Sequence, residues 1–258
     1  MMQSYTIVTG ASCGIGYEIA KLFAKDKNDL ILVARNEEKL NEIKKDFEQK
    51  FNINVIVIGL DLSVDNDVDY LYEYVEKNKL IVDNLINNAG IGSFGEFYKA
   101  DCTKDLDMIK LNVYSLTKLM KLFLPGMIKR NKGGILNVAS TAAFGVGPMM
   151  SVYYATKSYV LSLTESVSAE VKGTNVKIAA LCPGPVDTGF QGKAGVKKAE
   201  IAKGYMMKAD EVARDAYRQY NKGKTIIIPG FKNKALVQSF RFLPRKIIGK
   251  AALKLNKQ

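Results

Sequence analysis

Ser140, Tyr153 and Lys157 are the residues whose types and spacing could do chemistry in this chain. Tyr153 precedes Lys157 by four positions. Residues at i and i+4 share one face of a helix, so a phenol and an ammonium can point into one site. A neighbouring cation favours the phenolate and lowers a tyrosine pKa. A free tyrosine titrates near ~10, too high for efficient proton exchange at neutral pH. Closing that gap takes about 3 pKa units, or roughly 4 kcal/mol of differential stabilisation. One lysine plus one further positive charge could supply it. Tyr-x-x-x-Lys arises easily by chance in a chain with 13 tyrosines, so its weight comes from the residues upstream.

Residues 5–9 read as a short buried strand rich in β-branched side chains. Gly10-Ala11-Ser12-Cys13-Gly14-Ile15-Gly16 follows, and then Ile19, Ala20, Leu22, Phe23 and Ala24 at helical period. Glycines between a strand and a helix are the context of a dinucleotide fingerprint. They permit a tight turn and close approach of backbone to a pyrophosphate, and the helix N-terminus offers free N–H groups and a favourable dipole. The spacing is Gly-x-x-x-Gly-x-Gly rather than Gly-x-Gly-x-x-Gly. An oxidised nicotinamide would bring the further positive charge.

A second strand, 29–34, ends at Ala34-Arg35. An acidic residue there would hold the adenosine ribose 2′-OH. No carboxylate repels a 2′-phosphate, and a guanidinium stands ready to bind one, which favours NADP over NAD. Cys13 weakens the case, because a second basic residue in the glycine turn would have strengthened it.

These residues together resemble the compact, single-domain branch of the short-chain dehydrogenase/reductase family. The matching pieces are Thr9 to Gly16, Asp61-Leu62, Asn87-Asn88-Ala89-Gly90, Asn112, Ser140, Tyr153, Lys157 and Pro183-Gly184-Pro185-Val186-Asp187-Thr188. They stand in the family's order over roughly residues 4 to 230. The resemblance implies that Tyr153 is the general acid in ketone reduction and the base in reverse. It implies that Ser140 fixes the substrate oxygen and that Lys157 lowers the Tyr153 pKa and holds the nicotinamide ribose. Asn112 would anchor a water linking Lys157 to solvent. Asp61 and Leu62 would meet the adenine, Asn88, Ala89 and Gly90 the adenosine ribose, and Pro183, Gly184, Val186 and Thr188 the nicotinamide side. Taken singly, Asn112 could instead cap the helix that follows it, Ser140, Asp61 and Asn88 could be turn residues, and Pro183 and Pro185 could simply end a strand. The ordered set favours the functional reading.

The elements that must position these residues follow from hydrophobic pattern. Strands are expected at 5–9, 29–34, 54–59, 82–86, 133–138, 175–181 and 224–228. Helices are expected at 14–26, 36–49, 65–77, 111–130, 151–172 and 209–220. Apolar runs alternating with amphipathic stretches give an α/β fold, a doubly wound parallel sheet of about seven strands with helices on both faces, Rossmann-type. The 258 residues suffice for one such domain, assigned to 1–231. The absence of histidine excludes His-based triads and His-containing metal sites, and Cys13, Cys102 and Cys182 form no Cys-x-x-Cys pair, so no metal is expected. Sparse cysteine, no signal peptide and no long apolar run fit a cytoplasmic protein.

Residues 232–258 form a basic amphipathic extension. Lys232, Lys234, Arg241, Arg245, Lys246, Lys250, Lys254 and Lys257 supply 8 of the net +12, with no acidic residue. Leu236, Val237 and Phe240 make a short apolar face. After Pro244, Ile247, Ile248, Ala251, Ala252 and Leu255 line one side of a helix. This tail could pack on its own domain or a dimer partner as a lid, lie on an anionic membrane, or attract an acidic carrier protein. Nucleic acid is not expected, since the charge is confined to one tail without an aromatic platform.

The expected activity is NADP-dependent hydride transfer between nicotinamide and a ketone or secondary alcohol, in a homodimer or homotetramer that the resemblance builds on 111–130 and 151–172. Phe94, Phe144, Met149, Met150, Phe190, Tyr205, Met206 and Met207 lie in loops expected at the carboxyl ends of the strands. They suggest a bulky lipophilic substrate such as a steroid or long acyl chain, or equally ordinary packing. A 3-oxoacyl-(acyl carrier protein) reductase is the alternative within the same chemistry. A cofactor-sensing protein without catalysis is disfavoured, because Ser140, Tyr153 and Lys157 are all present.

Overall fold

The computed structural model describes residues 4–195 and 206–256. Seven strands form one parallel sheet in the order β3-β2-β1-β4-β5-β6-β9. They are β1 (Ser4–Thr9), β2 (Asp29–Ala34), β3 (Val55–Gly59), β4 (Ile81–Asn87), β5 (Gly133–Val138), β6 (Val176–Leu181) and β9 (Ile226–Ile227). Each lies within two residues of its expected place. A two-stranded ladder, β7 (Val186–Asp187) with β8 (Met207–Lys208), was not anticipated. Two residues per strand are too few for a period-two pattern to show.

The strands are buried on both sides, so they read as continuous Val/Ile/Leu runs. On one face, Val8, Leu30 and Leu32 pack with Ile19 and Phe23 of α1 (Gly14–Lys25), Leu40 and Phe47 of α2 (Glu37–Phe51), and Val212 and Tyr220 of the helix Ala209–Asn221. On the other, Ile7, Ile31 and Leu85 pack with Leu71 of α3 (Asp65–Lys77), Phe123 of α5 (Leu116–Arg130) and Val160 of α6 (Ser151–Glu170). The strand order reverses between β1 and β4. In open α/β sheets ligands bind outside the carboxyl ends of the strands at such a switch point. The glycine turn after β1 and Asn88–Gly90 after β4 meet there.

The helix expected at 111–130 is longer and interrupted. It starts at Cys102 as α4 (Cys102–Ile109), widens into a π-turn at Lys110–Ser115 and continues as α5. The first section escaped hydrophobic pattern because only Met108 in it is buried. Asp101 caps it, accepting from Thr103 N–H at 2.9 Å. Asn112 therefore lies inside the π-turn, buried, and does not cap a helix.

The tail forms two helices, Phe231–Phe240 and Arg245–Asn256. The first places Val237 inward and leaves Leu236 half exposed. In the second the expected stripe divides: Ile248 is buried, whereas Ile247 and Ala251 face solvent. Tyr205 and Lys257 lie outside the described residues. Among those described, no helix is long and apolar enough to cross a membrane.

Candidate active site

The glycine turn is held from behind. Asn88 donates its side-chain amide to Thr9 O at 2.9 Å and Gly10 O at 3.1 Å. Thr9 Oγ1 accepts from Asn88 N–H and Ala89 N–H, both at 3.0 Å. A Cβ on Gly16 would collide with that amide and lie 2.5 Å from Gly10 O. Gly14 has φ +60°, a left-handed conformation that favours glycine. Cys13 stands at the N-cap of α1, exposed and without a side-chain capping bond. The first helical bond runs from Tyr17 N–H to Cys13 O at 3.4 Å, so the amides of Gly14, Ile15 and Gly16 have no intrahelical acceptor. Ser12 and Ile15 are half-buried beside them. Thr188 closes the turn from the other side, its side chain 3.0 Å from where a Gly14 Cβ would stand. These free amides at a helix N-terminus fit a dinucleotide pyrophosphate.

At the end of β2, exposed Arg35 reaches Asp61 at 3.5 Å. Burial pushes the Asp61 carboxyl up. Hydrogen bonds from Ser63 and the Arg35 guanidinium outweigh that and leave it below the usual aspartate value. Leu62 and Val186 are core residues, so only their backbones remain for a ligand. Pro183 is buried and Gly184 half-buried, with Asn233 of the first tail helix against Gly184.

Ser140, Tyr153, Lys157 and Asn112 are drawn together where β4, β5 and β6 end. Ser140 caps the short helix Thr141–Phe144, accepting from Ala142 N–H at 3.1 Å. It also donates to Pro183 O at 3.4 Å, and it lies close enough to the Tyr153 phenol to oppose the rise of its pKa. Lys157 donates to Val138 O at 2.8 Å and holds its Nζ 5.8 Å from the Tyr153 ring centroid. Gly90 borders both polar groups: a Cβ there would stand 3.1 Å from Asn112 Oδ1 and 3.5 Å from Lys157 Nζ. Asn112 accepts from Ile91 N–H at 3.0 Å and donates to Ile91 O at 2.9 Å and Thr156 Oγ1 at 3.1 Å. Thr156 in turn donates to Tyr153 O at 2.8 Å. Thr9 stands in the glycine-turn motif without a role of its own read from sequence, and Thr156 carries no expectation. Thr9 directly precedes the turn and Thr156 lies one residue before Lys157, but threonines in strands and helices are too common to signal a role.

Without the positive charge of a nicotinamide, burial dominates both groups. Burial pushes Tyr153 up to about 12, Ser140 opposes this and Tyr154 adds to it. Burial also lowers Lys157 to about 8, opposed by Cys182. Desolvation disfavours both charged forms, and the lysine is directed to a carbonyl.

Among the expected substrate residues, Phe190 lies closest to the chemistry, its ring centroid 5.7 Å from that of Tyr153. Met149 adopts φ +71° and accepts from Gly95 N–H at 2.8 Å, which fixes the loop carrying half-buried Phe94. Phe144 packs against the core, and Met207 contacts Asn233 at 3.6 Å.

A doubly wound sheet with a glycine turn at its switch point and a tyrosine, lysine and serine at the carboxyl ends of the neighbouring strands defines a dinucleotide-binding oxidoreductase. The profile of the family described as short chain dehydrogenase matches residues 4–199, and the chain belongs to that family. An uncharacterised oxidoreductase of Staphylococcus epidermidis is 32% identical over 186 residues, covering 72% of this chain and 79% of its own. The very-long-chain 3-oxoacyl-CoA reductase of Mus musculus is 31% identical over 188 residues, covering 70% of this chain but only 59% of that protein. A short-chain dehydrogenase from Sphingobium yanoikuyae, solved with NADPH, superposes with a TM-score of 0.83 at 27% identity, over 93% of this chain and 94% of that one.

Proposed function

We propose that this protein reduces a bulky, lipophilic ketone, or oxidises the corresponding secondary alcohol, using NADP in preference to NAD. The observation that carries this reading is the convergence of Ser140, Tyr153 and Lys157 near Gly90, on the loop whose Asn88 secures the glycine turn. The amides of Gly14, Ile15 and Gly16 would hold the pyrophosphate. Arg35 would hold the 2′-phosphate, and Asp61 with Asn88, Ala89 and Gly90 the adenosine. Lys157, the backbone of Val186, and Thr188 would hold the nicotinamide half. When bound, the nicotinamide supplies or accepts the hydride and, oxidised, carries a positive charge.

The protein's own residues handle the proton. In reduction the Tyr153 phenol gives its proton to the carbonyl oxygen, which the Ser140 hydroxyl also holds. A tyrosine pushed up to about 12 is protonated at neutral pH, as this direction requires. Alcohol oxidation needs the phenolate, and a Lys157 that remains mainly protonated at pH 7 favours it. Asn112 and Thr156 fix the helix that presents both. Phe190, Phe94 and Met149 supply apolar surface for the substrate.

A second reading, reduction of a 3-oxoacyl thioester, is supported by the likeness to the mouse 3-oxoacyl-CoA reductase and by the basic tail. Oxidation of NADPH and NADH followed at 340 nm against ketosteroids, 3-oxoacyl thioesters and simple aldehydes separates the two. Turnover with one class, faster with NADPH, is expected. Tyr153→Phe is expected to lose turnover by about three orders of magnitude or more while still binding cofactor. Near-normal turnover in that variant would remove Tyr153 from the reaction, and silence with every substrate despite tight cofactor binding would favour a sensor.

A further inference from the structure

The two tail helices divide their surface in a way their composition alone does not require. One side packs on the body. Val237 and Ile248 are buried, Phe240 approaches Gly145, Gly249 approaches Val146, and Asn233 sits against Gly184. Two of the three phenylalanines of these helices and their link stay outside. Phe231 and Phe242 are 85% and 79% exposed, and Leu243 and Ile247 44% and 52%. Scattered exposed apolar residues are ordinary on a soluble surface. Here Phe242, Leu243 and Ile247 fall within one six-residue corner between the helices. Arg241, Arg245, Lys246 and Lys250 surround them in sequence, and 232–258 contains no carboxylate side chain.

We propose that this corner docks on the surface of an anionic lipid bilayer. Phe242, Leu243 and Ile247 enter the boundary between headgroups and acyl chains, and the basic residues meet the lipid phosphates. Burying a phenylalanine or leucine is favourable by about 1.5–3 kcal/mol, and each lysine or arginine near such a surface adds about 1 kcal/mol. A second copy of the chain is a poorer occupant. A two-fold contact sets the same patch against itself, so positive charge would face positive charge with no carboxylate to interleave. The contact is peripheral, because no described helix can span a bilayer.

The docked corner also has a place in the chemistry. The first tail helix packs against the turn Thr141–Phe144 that follows Ser140, so docking brings the rim of the active site to the membrane. Resting on the function proposed above, this lets a lipophilic substrate pass from bilayer to site without crossing water.

The test is sedimentation of the full chain with vesicles of phosphatidylcholine, with and without phosphatidylglycerol, at low and high salt. Binding to the anionic vesicles is expected, weakened about tenfold or more by high salt or by neutral lipid. Phe242→Ser with Leu243→Ser, and separately Lys246→Glu with Lys250→Glu, are each expected to weaken it about tenfold or more. Their circular dichroism and turnover of a small water-soluble ketone should be unchanged. No binding to anionic vesicles at low salt overturns the proposal, as does undiminished binding by both double variants. Tail-dependent self-association, or retention by an acidic carrier protein, without vesicle binding overturns it in favour of that occupant. Vesicle binding requires no turnover. A chain that binds vesicles but reduces nothing upholds the docking and fails the reductase reading, and the reverse result does the opposite.

Discussion

Lys157 shows what placing a charge beside Tyr153 costs the fold. Its pKa falls from 10.5 to about 8 through burial, so the folded state disfavours the charged form that the unfolded chain carries freely. A base with a depressed folded-state pKa destabilises the fold fully below that value, progressively less as pH rises, and not at all above its unfolded value. The window here runs from about pH 8 to about 10.5. Lys157→Met removes the titration. The stability of the variant relative to the natural chain is therefore expected to fall by about 2 kcal/mol between pH 7 and pH 9.5, as read from denaturant unfolding at both pH values. A pH-independent difference would show that the lysine is not desolvated as described, and turnover of the variant should be lost at either pH. Arg35 makes a second prediction at this scale. Its guanidinium is mostly exposed and only loosely paired to Asp61 at 3.5 Å, so it is available to a 2′-phosphate. Arg35→Ala is expected to raise the KM for NADPH about tenfold or more and leave that for NADH nearly unchanged. An equal effect on both cofactors would assign Arg35 to general packing of the adenosine site.

At the level of elements, the glycine turn proposed to cradle the phosphates depends on one close approach. A Cβ on Gly16 meets Gly10 O at 2.5 Å and the Asn88 amide that secures the turn. Gly16→Ala is expected to destabilise the protein by about 1–3 kcal/mol and weaken cofactor binding about tenfold or more, measured by thermal unfolding and fluorescence titration. Unchanged binding would mean that the turn tolerates displacement and that the α1 amides do not grip the ligand. The turn was legible in the sequence because glycines at fixed intervals between a strand and a helix have a backbone cause. So were the seven sheet strands, since burial on both faces leaves uninterrupted apolar runs. The π-turn was not. Within Lys110–Ser115, Asn112 bonds Ile91 and Thr156, and Ser115 bonds Leu62, partners 21, 44 and 53 positions away that no local pattern reveals. Such turns often mark functional sites, and here it turns a polar side chain inward between the Gly90–Ile91 loop after β4 and α6. The protonation balance of Tyr153 and Lys157 was hidden for a similar reason. Spacing put them on one face, but burial, which depends on every element around them, decided the direction of both shifts.

Over the whole molecule, charge and apolar surface are segregated. Residues 1–231 carry only 12 − 8 = +4 of the net charge, and their exposed apolar side chains include Leu106, Ile109, Tyr114 and Tyr159 on α4 to α6. Thr117 and Tyr159 join α5 to α6 at 3.0 Å. Alongside runs an open groove of about 410 Å³, lined by Phe97, Ile109, Val113, Val152 and Ala155. A contiguous apolar face of this kind marks an interaction surface. With the balanced charge of the body it suits a two-fold contact with a second copy, unlike the wholly basic tail. The chain is expected to run as a dimer or tetramer at micromolar concentration in light scattering after gel filtration, and Ile109→Lys with Tyr159→Lys is expected to shift it to monomer. A monomeric natural chain would sink this assignment. The consequence reaches the chemistry, because α6 carries Tyr153 and Lys157 on its inner side while offering Tyr159 outward. Pairing through α6 would therefore brace the helix that carries Tyr153. Monomers of the double variant are expected to keep their cofactor affinity, which rests on the glycine turn, and to lose turnover by about tenfold; full turnover in a proven monomer would show that the fold alone holds α6 in place.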